Sequence, residues 1–204
     1  MMKLTRIICA LCCLQATGVF AQEEENYTQQ PTLSIHFLLH DFQSASRIRS
    51  SSLSSVLANK QFGKVKDMSP GLAVSYSEGL SNNFDFSVTL AGSFLDYPRE
   101  DALPSSGSDK FLLEADASIR GKMFSDKYWF TPYLQAGLGA SKYGGYYGAF
   151  IPLGVGLQIN FFDEAFLLIN SQYRVPVTLS TNYHFYHSIG LAGNIGRKKS
   201  RDQQ

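Results

Sequence analysis

Residues 111–120 read FLLEADASIR, and their side chains fall into two sets by simple alternation. The odd positions carry Phe, Leu, Ala, Ala and Ile, whereas the even positions carry Leu, Glu, Asp, Ser and Arg. Because successive side chains of a β-strand point to opposite faces, this segment as a strand has one apolar face and one mostly polar face. A helix would mix the two sets around its circumference, so the pattern predicts a strand.

The same alternation recurs along the chain and predicts an all-β fold. The eight predicted strands cover about 32–42, 71–78, 84–97, 111–124, 128–142, 149–161, 165–177 and 183–196. The longest break, 43–69, contains a short predicted helix at about 45–58. The connections after strands 1, 3, 5 and 7 are long or irregular, including 143–148, and those after strands 2, 4 and 6 are tight turns. This asymmetry, with an even strand number, predicts an eight-stranded antiparallel up-and-down transmembrane β-barrel.

The first 21 residues have the parts of an export signal. Lys3 and Arg6 form a basic front, residues 7–14 are apolar, and Ala21 is a small residue suited to cleavage. The apolar run is too short to span a bilayer as a helix, which needs about 20 residues. We therefore expect export to the outer membrane with cleavage near Ala21.

Composition excludes several classes of protein. All three cysteines lie within the signal, so the mature chain has no disulfide and no thiolate metal site. Loss of Lys3 and Arg6 leaves 16 basic and 17 acidic residues, so no basic field for nucleic acid is expected. No later run reaches 18 consecutive apolar residues, and membrane insertion would therefore require a closed barrel.

These observations divide the chain into four parts. We predict a signal peptide at 1–21, a short periplasmic lead at 22–31, an outer-membrane β-barrel at 32–196 and a basic periplasmic tail at 197–204.

Alternation alone does not say which face of the barrel is inside, because a soluble lipocalin-type barrel also alternates, with its apolar face inward. Gly137, Gly139, Gly154 and Gly156 lie on the polar face, where missing side chains make room in a narrow interior. Aromatic residues cluster near strand ends, as in the girdles of membrane barrels. They are Tyr97, Phe124, Tyr128, Trp129, Phe130, Tyr143, Tyr146, Tyr147, Phe161, Phe162 and Phe166.

The polar face therefore predicts a structural network inside the barrel. Its predicted members are His36, Asp85, Glu114, Asp116, Arg120, Lys122, Gln135, Gln158, Asn170, Gln172 and Arg174. Buried charges must be paired, and we expect the three bases to pair with the three acids. Since eight strands leave room only for side chains, a plugged interior is favoured over a gated ion path.

Two other groups of residues are candidate sites. His36, His40, His184 and His187 lie on strands 1 and 8, and His187 precedes Ser188, but rim histidines are favoured over a metal or catalytic site. No catalytic residue, metal site or cofactor is predicted. The break between strands 1 and 2 is basic and is predicted to contact lipopolysaccharide phosphates. The residues concerned are Arg47, Arg49, Lys60, Lys64 and Lys66.

Five segments carry a resemblance to a known family. They read KQFGKVKDMSPGLAVSY (60–76), FDFSVTLAGSFLDYP (84–98), LLEADASIRGKM (112–123), SDKYWFTPYLQAGLGASKYGGYYGAFIPLGVGLQIN (125–160) and LLINSQYRVPV (167–177). Together they resemble the N-terminal barrel of OmpA-type outer-membrane proteins of Gram-negative bacteria. Such barrels often precede a peptidoglycan-binding domain, for which the residues after 196 are too few.

The expected function follows from this combination. We predict a non-enzymatic structural barrel that supports membrane integrity or surface contact through its external loops. Its expected partners are outer-membrane lipids, lipopolysaccharide and the barrel-assembly machinery, with no nucleic acid. The alternatives are a small-solute porin or transporter and a lipid-modifying barrel enzyme.

Overall fold

In the computed structural model, which describes residues 27–95, 111–161 and 165–195, the chain forms a closed eight-stranded antiparallel barrel. Each strand pairs with its neighbours in sequence, and β1 pairs with β8 to close the cylinder. The predicted fold is confirmed. The strands are β1 Thr32–Asp41, β2 Ser69–Gly79, β3 Phe84–Phe94, β4 Phe111–Lys122, β5 Phe130–Tyr143, β6 Tyr146–Phe161, β7 Ala165–Pro176 and β8 His184–Asn194.

Some predicted parts lie outside the described residues. These are the signal peptide 1–21 with its cleavage point, the first part of the lead, the tail 197–204, the turn at 162–164, and the loop at 98–109.

The alternation of β4 becomes two faces of the barrel wall. Leu113 and Ile119 lie on the outer face and are exposed, whereas Glu114, Asp116 and Arg120 point inward and are buried. A shift of one residue in the pairing would exchange the two faces, so the hydrophobic pattern fixes the register. The core of this protein is consequently polar in large part, and much of its apolar surface faces outward.

The connection between β1 and β2 contains two helices and a 3₁₀ turn. They are α1 Phe42–Ser50, α2 Leu53–Ala58 and the turn Val65–Asp67. Asp41 caps α1 by accepting a hydrogen bond from the Ser44 amide at 2.7 Å. Ser52 caps α2 through the Ser55 amide, and this second N-cap divides the single predicted helix at 45–58 into two. No helix in the described ranges is long and apolar enough to cross a membrane.

The prediction of a loop at 143–148 is wrong. β5 and β6 continue to Tyr143 and Tyr146, which pair directly, so only Gly144 and Gly145 form the turn. Both glycines have positive φ, 55° and 86°, as a two-residue type I′ hairpin requires. The opposite error occurs between β4 and β5, where the connection spans 123–129 and is longer than the predicted turn.

The two ends of the barrel differ in their connections. We call the end that carries 42–68, Gly144–Gly145 and 177–183 the loop end. The other end, where β1 begins and β8 ends, is called the terminal end.

Candidate functional site

The interior of the barrel is the candidate site, because it holds the polar side chains that the strands bury. All members of the predicted network lie in the barrel wall with buried side chains. They are His36, Asp85, Glu114, Asp116, Arg120, Lys122, Gln135, Gln158, Asn170, Gln172 and Arg174. They separate into a cluster near each end and a middle layer.

The loop-end cluster consists of His40, Glu114, Asp116, Arg174 and His184. β7 carries Arg174 across the interior to the two acids, which are two residues apart on the inward face of β4. Arg174 donates from Nη1 to Glu114 Oε2 and from Nη2 to Asp116 Oδ2, the second at 3.1 Å. One guanidinium thus bridges two buried carboxylates, using the fork geometry that suits arginine.

Aromatic rings complete the surroundings of Arg174. Its guanidinium carbon lies 4.0 Å from the centroid of the Tyr186 ring and 4.7 Å from that of Phe150. Gln172 accepts a hydrogen bond from Arg174 Nε at 3.3 Å. The side chain is fully buried and is fixed by hydrogen bonds and ring faces together.

Two histidines lie against the same carboxylate. His40 at the end of β1 places Nδ1 3.6 Å from Glu114 Oε2, and His184 at the start of β8 places Nε2 3.4 Å from Glu114 Oε1. The imidazole centroids are 5.2 Å apart, and Phe42 stacks on His184 at 4.5 Å. The sequence predicts these histidines on neighbouring strands, but no pattern in it indicates that Glu114 lies between them.

The terminal-end cluster is built around Lys122. Its Nζ lies 2.9 Å from Asp85 Oδ1 and donates to Asp126 Oδ2 at 2.8 Å. Asp126 Oδ1 accepts in turn from Gln158 Nε2 at 2.9 Å. Asp126 belongs to the connection after β4, so it has no place in the strand alternation and sequence reasoning missed it as a partner.

The middle layer is held by neutral groups and one cation. Asn170 donates to Gln135 at 3.0 Å, and Ser34 lies 2.8 Å from His36 Nε2. The Arg120 guanidinium lies 5.5 Å from the Tyr133 ring centroid. The expected pairing of Arg120 with an acid is not among the ion pairs of the described ranges.

Several glycines make room for rings rather than for charged chains. A Cβ on Gly156 would overlap the Tyr133 ring, and one on Gly139 would overlap Phe150. Both rings point inward and are buried. The interior is therefore filled by aromatic side chains as well as by ion pairs, which the sequence pattern did not predict.

His187 lies on the outer face of the barrel wall. Its Nδ1 lies 2.9 Å from Ser171 Oγ on the neighbouring strand, whereas Ser188 points inward. The hydrogen bond satisfies two polar groups on a mostly apolar surface, which is a sufficient structural explanation of the pair. The pairing of His187 with Ser188 that the sequence suggested does not occur.

The basic residues of the β1–β2 connection do not form one patch. Arg47 is engaged within the loop, with Nη2 2.9 Å from Asp67 Oδ2, and Arg49 lies over the Tyr183 ring at 3.9 Å. Lys60 and Lys66 are exposed, and Lys64 is partly exposed. Arg49 and the three lysines are thus at least partly exposed, and Arg47 is the member that forms an ion pair within the connection.

Exposed aromatic side chains lie at both ends of the barrel. At the terminal end they are Phe84, Phe124, Tyr128, Trp129, Phe130 and Phe161, and at the loop end Phe94, Phe111, Tyr146 and Tyr147. Phe166 was grouped with them in the sequence but is buried inside against Leu168 and Ala192. Tyr97 and Phe162 lie outside the described residues.

Solved structures with the same architecture have very different sequences. Outer membrane protein OprG from Pseudomonas aeruginosa matches with a TM-score of 0.54 and 9% identity, covering 82% of this chain and 97% of that one. The Neisserial surface protein A has a TM-score of 0.52 and 14% identity, with coverages of 80% and 96%. The N-terminal β-barrel domain of Pseudomonas aeruginosa OprF has a TM-score of 0.51 and 10% identity, with coverages of 81% and 98%.

All three are eight-stranded barrels of outer-membrane proteins. The chain has the fold of the small outer-membrane β-barrels. The resemblance to OmpA-type barrels is confirmed at the level of this fold. No family model and no curated protein matches the chain.

Proposed function

We propose that the protein is an integral barrel of the bacterial outer membrane with a plugged interior, inserted by the barrel-assembly machinery. The observation that carries the proposal is the inverted distribution of side chains. Ile35, Leu72, Leu134, Leu138 and Leu191 each expose more than 60% of their surface on the outer face, whereas charged side chains that point inward, such as Glu114, Lys122 and Arg174, are buried. In water this arrangement would expose a large apolar surface. In a membrane the apolar side chains contact lipid, and the charged side chains remain inside the barrel.

The height of the apolar surface supports the same proposal. Phe84 and Phe94 are exposed at opposite ends of β3, and ten residue steps separate them. At about 3.3 Å per residue and a tilt of about 40°, the two rings are roughly 25 Å apart along the barrel axis. This equals the height of the apolar band of outer-membrane barrels, which is about 25 Å.

The interior favours a structural role over transport. The ion pairs of Arg174 cross the interior from β7 to β4 near the loop end, and Lys122 pairs with Asp85 of the neighbouring strand β3 inside the terminal end. Tyr133 and Phe150 occupy space between the walls. A porin of this kind would need to break buried ion pairs to open a path, which is costly because unpaired charges would remain. We therefore propose membrane integrity and surface contact through the loop end as the role.

Lipopolysaccharide is the proposed contact of the β1–β2 connection. Lys60, Lys64 and Lys66 retain outward-facing ammonium groups at the loop end, where outer-leaflet phosphates would lie. Arg47 and Arg49 position the connection through Asp67 and Tyr183 instead.

Fractionation of cells that express the full chain tests the proposal. We expect the protein in the outer membrane, resistant to urea extraction, with a gel mobility that changes on boiling, and with no stable conductance steps in planar bilayers. Deletion of residues 1–21 is the matched control and should retain the chain in the cytoplasm. Replacing Lys60, Lys64 and Lys66 by Ala should reduce the lipopolysaccharide that copurifies. Recovery of the intact chain as a soluble periplasmic protein would contradict the proposal, and steady conductance would favour a porin.

A further inference from the structure

The ring orientation of His184 determines which of its nitrogens is a donor. Nδ1 lies 2.9 Å from the carbonyl oxygen of Asn182. Since a carbonyl oxygen only accepts, Nδ1 carries the proton, and Nε2 of the neutral ring carries a lone pair. That lone pair faces Glu114 Oε1 at 3.4 Å, and neither atom has a hydrogen-bond partner in the described part of the chain. Two acceptors therefore face each other in a buried site, and a cation between them, either a metal ion or a proton on Nε2, would satisfy both.

His40 brings a third donor atom to the same point. Its ring is almost completely buried, and neither of its nitrogens has a hydrogen-bond partner among the described residues. One ligand atom each from His40, Glu114 and His184 can be chosen so that all three lie within 4.8 Å of one another. Zinc bonds of about 2.0–2.1 Å at tetrahedral angles separate ligand atoms by roughly 3.3 Å. The distance of 3.4 Å between His184 Nε2 and Glu114 Oε1 is close to this value.

We propose that His40, Glu114 and His184 bind a divalent transition-metal ion, with Zn²⁺ as the ion that suits them best. Two imidazoles and one carboxylate are a common ligand set for zinc with an open fourth position. The charges agree, because Glu114 and Asp116 face a single base, Arg174, and the loop-end cluster therefore has an excess negative charge when the histidines are neutral.

The groups around the three ligands hold them in position, as the outer shell of a metal site does. Arg174 binds Glu114 Oε2 and leaves Oε1 directed at His184. The Asn182 carbonyl fixes the tautomer of His184. The Tyr186 ring meets His40 edge-on at 5.5 Å, which restricts rotation of the imidazole.

A cavity at the loop end gives access to the cluster. Glu114 and His184 line it together with Ser141 and Thr181, and about 20 Å³ is open to the centres of water molecules. This is enough for about one water, which would serve as the fourth ligand.

Zinc titration of the chelator-treated, tag-free barrel in detergent tests the proposal. We expect one Zn²⁺ per chain by calorimetry, and visible ligand-field bands when Co²⁺ replaces it. His184→Ala and His40→Ala should each weaken binding by more than the 10–100-fold that loss of an outer-shell contact typically costs. His187→Ala is the matched control, because this histidine lies on the outer face, and it should bind Zn²⁺ like the wild type.

The controls separate metal binding from the competing explanation, a protonated His184 paired with Glu114. Boiling-dependent gel mobility checks that each variant is folded, and Glu114→Gln offers a nearly isosteric second variant that should also lose affinity. If the wild type takes up no Zn²⁺ and gives no Co²⁺ bands, the proposal is overturned whether or not the variants fold. Equal Zn²⁺ binding by folded His184→Ala and wild type would also overturn it. Neither result would affect the proposed membrane role, which rests on the outer face.

Discussion

Arg174 shows how a charged residue is accommodated inside this barrel. The side chain is fully buried, and its two terminal nitrogens bind Glu114 and Asp116. Removing a single member of such a group leaves the others as unpaired charges in a medium of low polarity. The consequence is that Arg174 should matter more to stability than an arginine with exposed contacts.

Replacement of Arg174 by Met, which is similar in length but uncharged, should destabilise the barrel by about 3–5 kcal/mol. The measurement is urea unfolding in lipid vesicles, followed by the fluorescence of Trp129, the single tryptophan. Arg47→Met is the control, because its ion pair with Asp67 is partly exposed and should be worth about 1 kcal/mol or less. Equal losses in both variants would show that the buried network does not hold the barrel together.

The partners of these residues were harder to predict than their location. Alternation along β4 places Glu114, Asp116 and Arg120 inside because neighbouring positions point to opposite faces. Which base meets which acid depends on the strand that lies across the interior, and no local pattern encodes that. Arg120 consequently meets Tyr133 instead of a carboxylate.

At the scale of elements, β5 and β6 pack closely because a glycine on one strand leaves space for an aromatic ring on the other. Gly156 pairs with Tyr133 across the two strands, and the ring covers the position where a side chain on residue 156 would stand. Glycine in a strand usually weakens it, so its presence here indicates a close approach. The interior therefore specifies small residues on one strand and large ones on the next.

Gly156→Ala should cost about 1–3 kcal/mol, because the added methyl group forces the ring to move in a filled interior. Gly193→Ala on β8 is the control, since its added Cβ would meet nothing within 4 Å, and its stability should be unchanged or slightly raised. Urea unfolding of both variants measures the difference. A second variant, Tyr133→Leu, should make Gly156→Ala less costly in the double variant than alone, and strictly additive effects would refute the contact.

The elements differ in how well the sequence predicts them. Strands are predictable because a period of two extends over ten or more residues, as in β4. The ends of the strands are less predictable, because the hydrogen-bonded ladder continues into segments whose composition resembles that of a loop. Thus Tyr143 and Tyr146 continue the ladder up to a turn of only Gly144 and Gly145, although YGGYYG resembles a loop in composition. The two helices after β1 are predicted as one for a similar reason, since the break between them in a Ser-rich segment depends on a single cap, Ser52.

At the scale of the molecule, the outer face is a continuous apolar wall between two aromatic rims. Leu90 on β3 lies between the rim residues Phe84 and Phe94, near the middle of the wall, and exposes 54% of its surface. Leu80, in the connection between β2 and β3, lies level with Phe84 at the terminal end, where its amide donates to the Phe84 carbonyl, and it exposes 63%. The two leucines therefore have similar exposure but lie at different heights along the barrel axis. A comparison of the two positions distinguishes a wall that faces lipid from one that faces water.

Leu90→Arg should destabilise the barrel by about 2–4 kcal/mol in lipid vesicles, because a cation would enter the hydrocarbon layer at its midplane. Leu80→Arg should cost only about 0–1 kcal/mol, since near the interface the guanidinium reaches water. Urea unfolding in vesicles measures both variants under the same conditions. If water surrounded the wall, both arginines would be solvated alike and the two losses would match. A depth-dependent difference is therefore specific to a barrel whose apolar face meets lipid, and equal losses would contradict membrane insertion while leaving the fold unaffected.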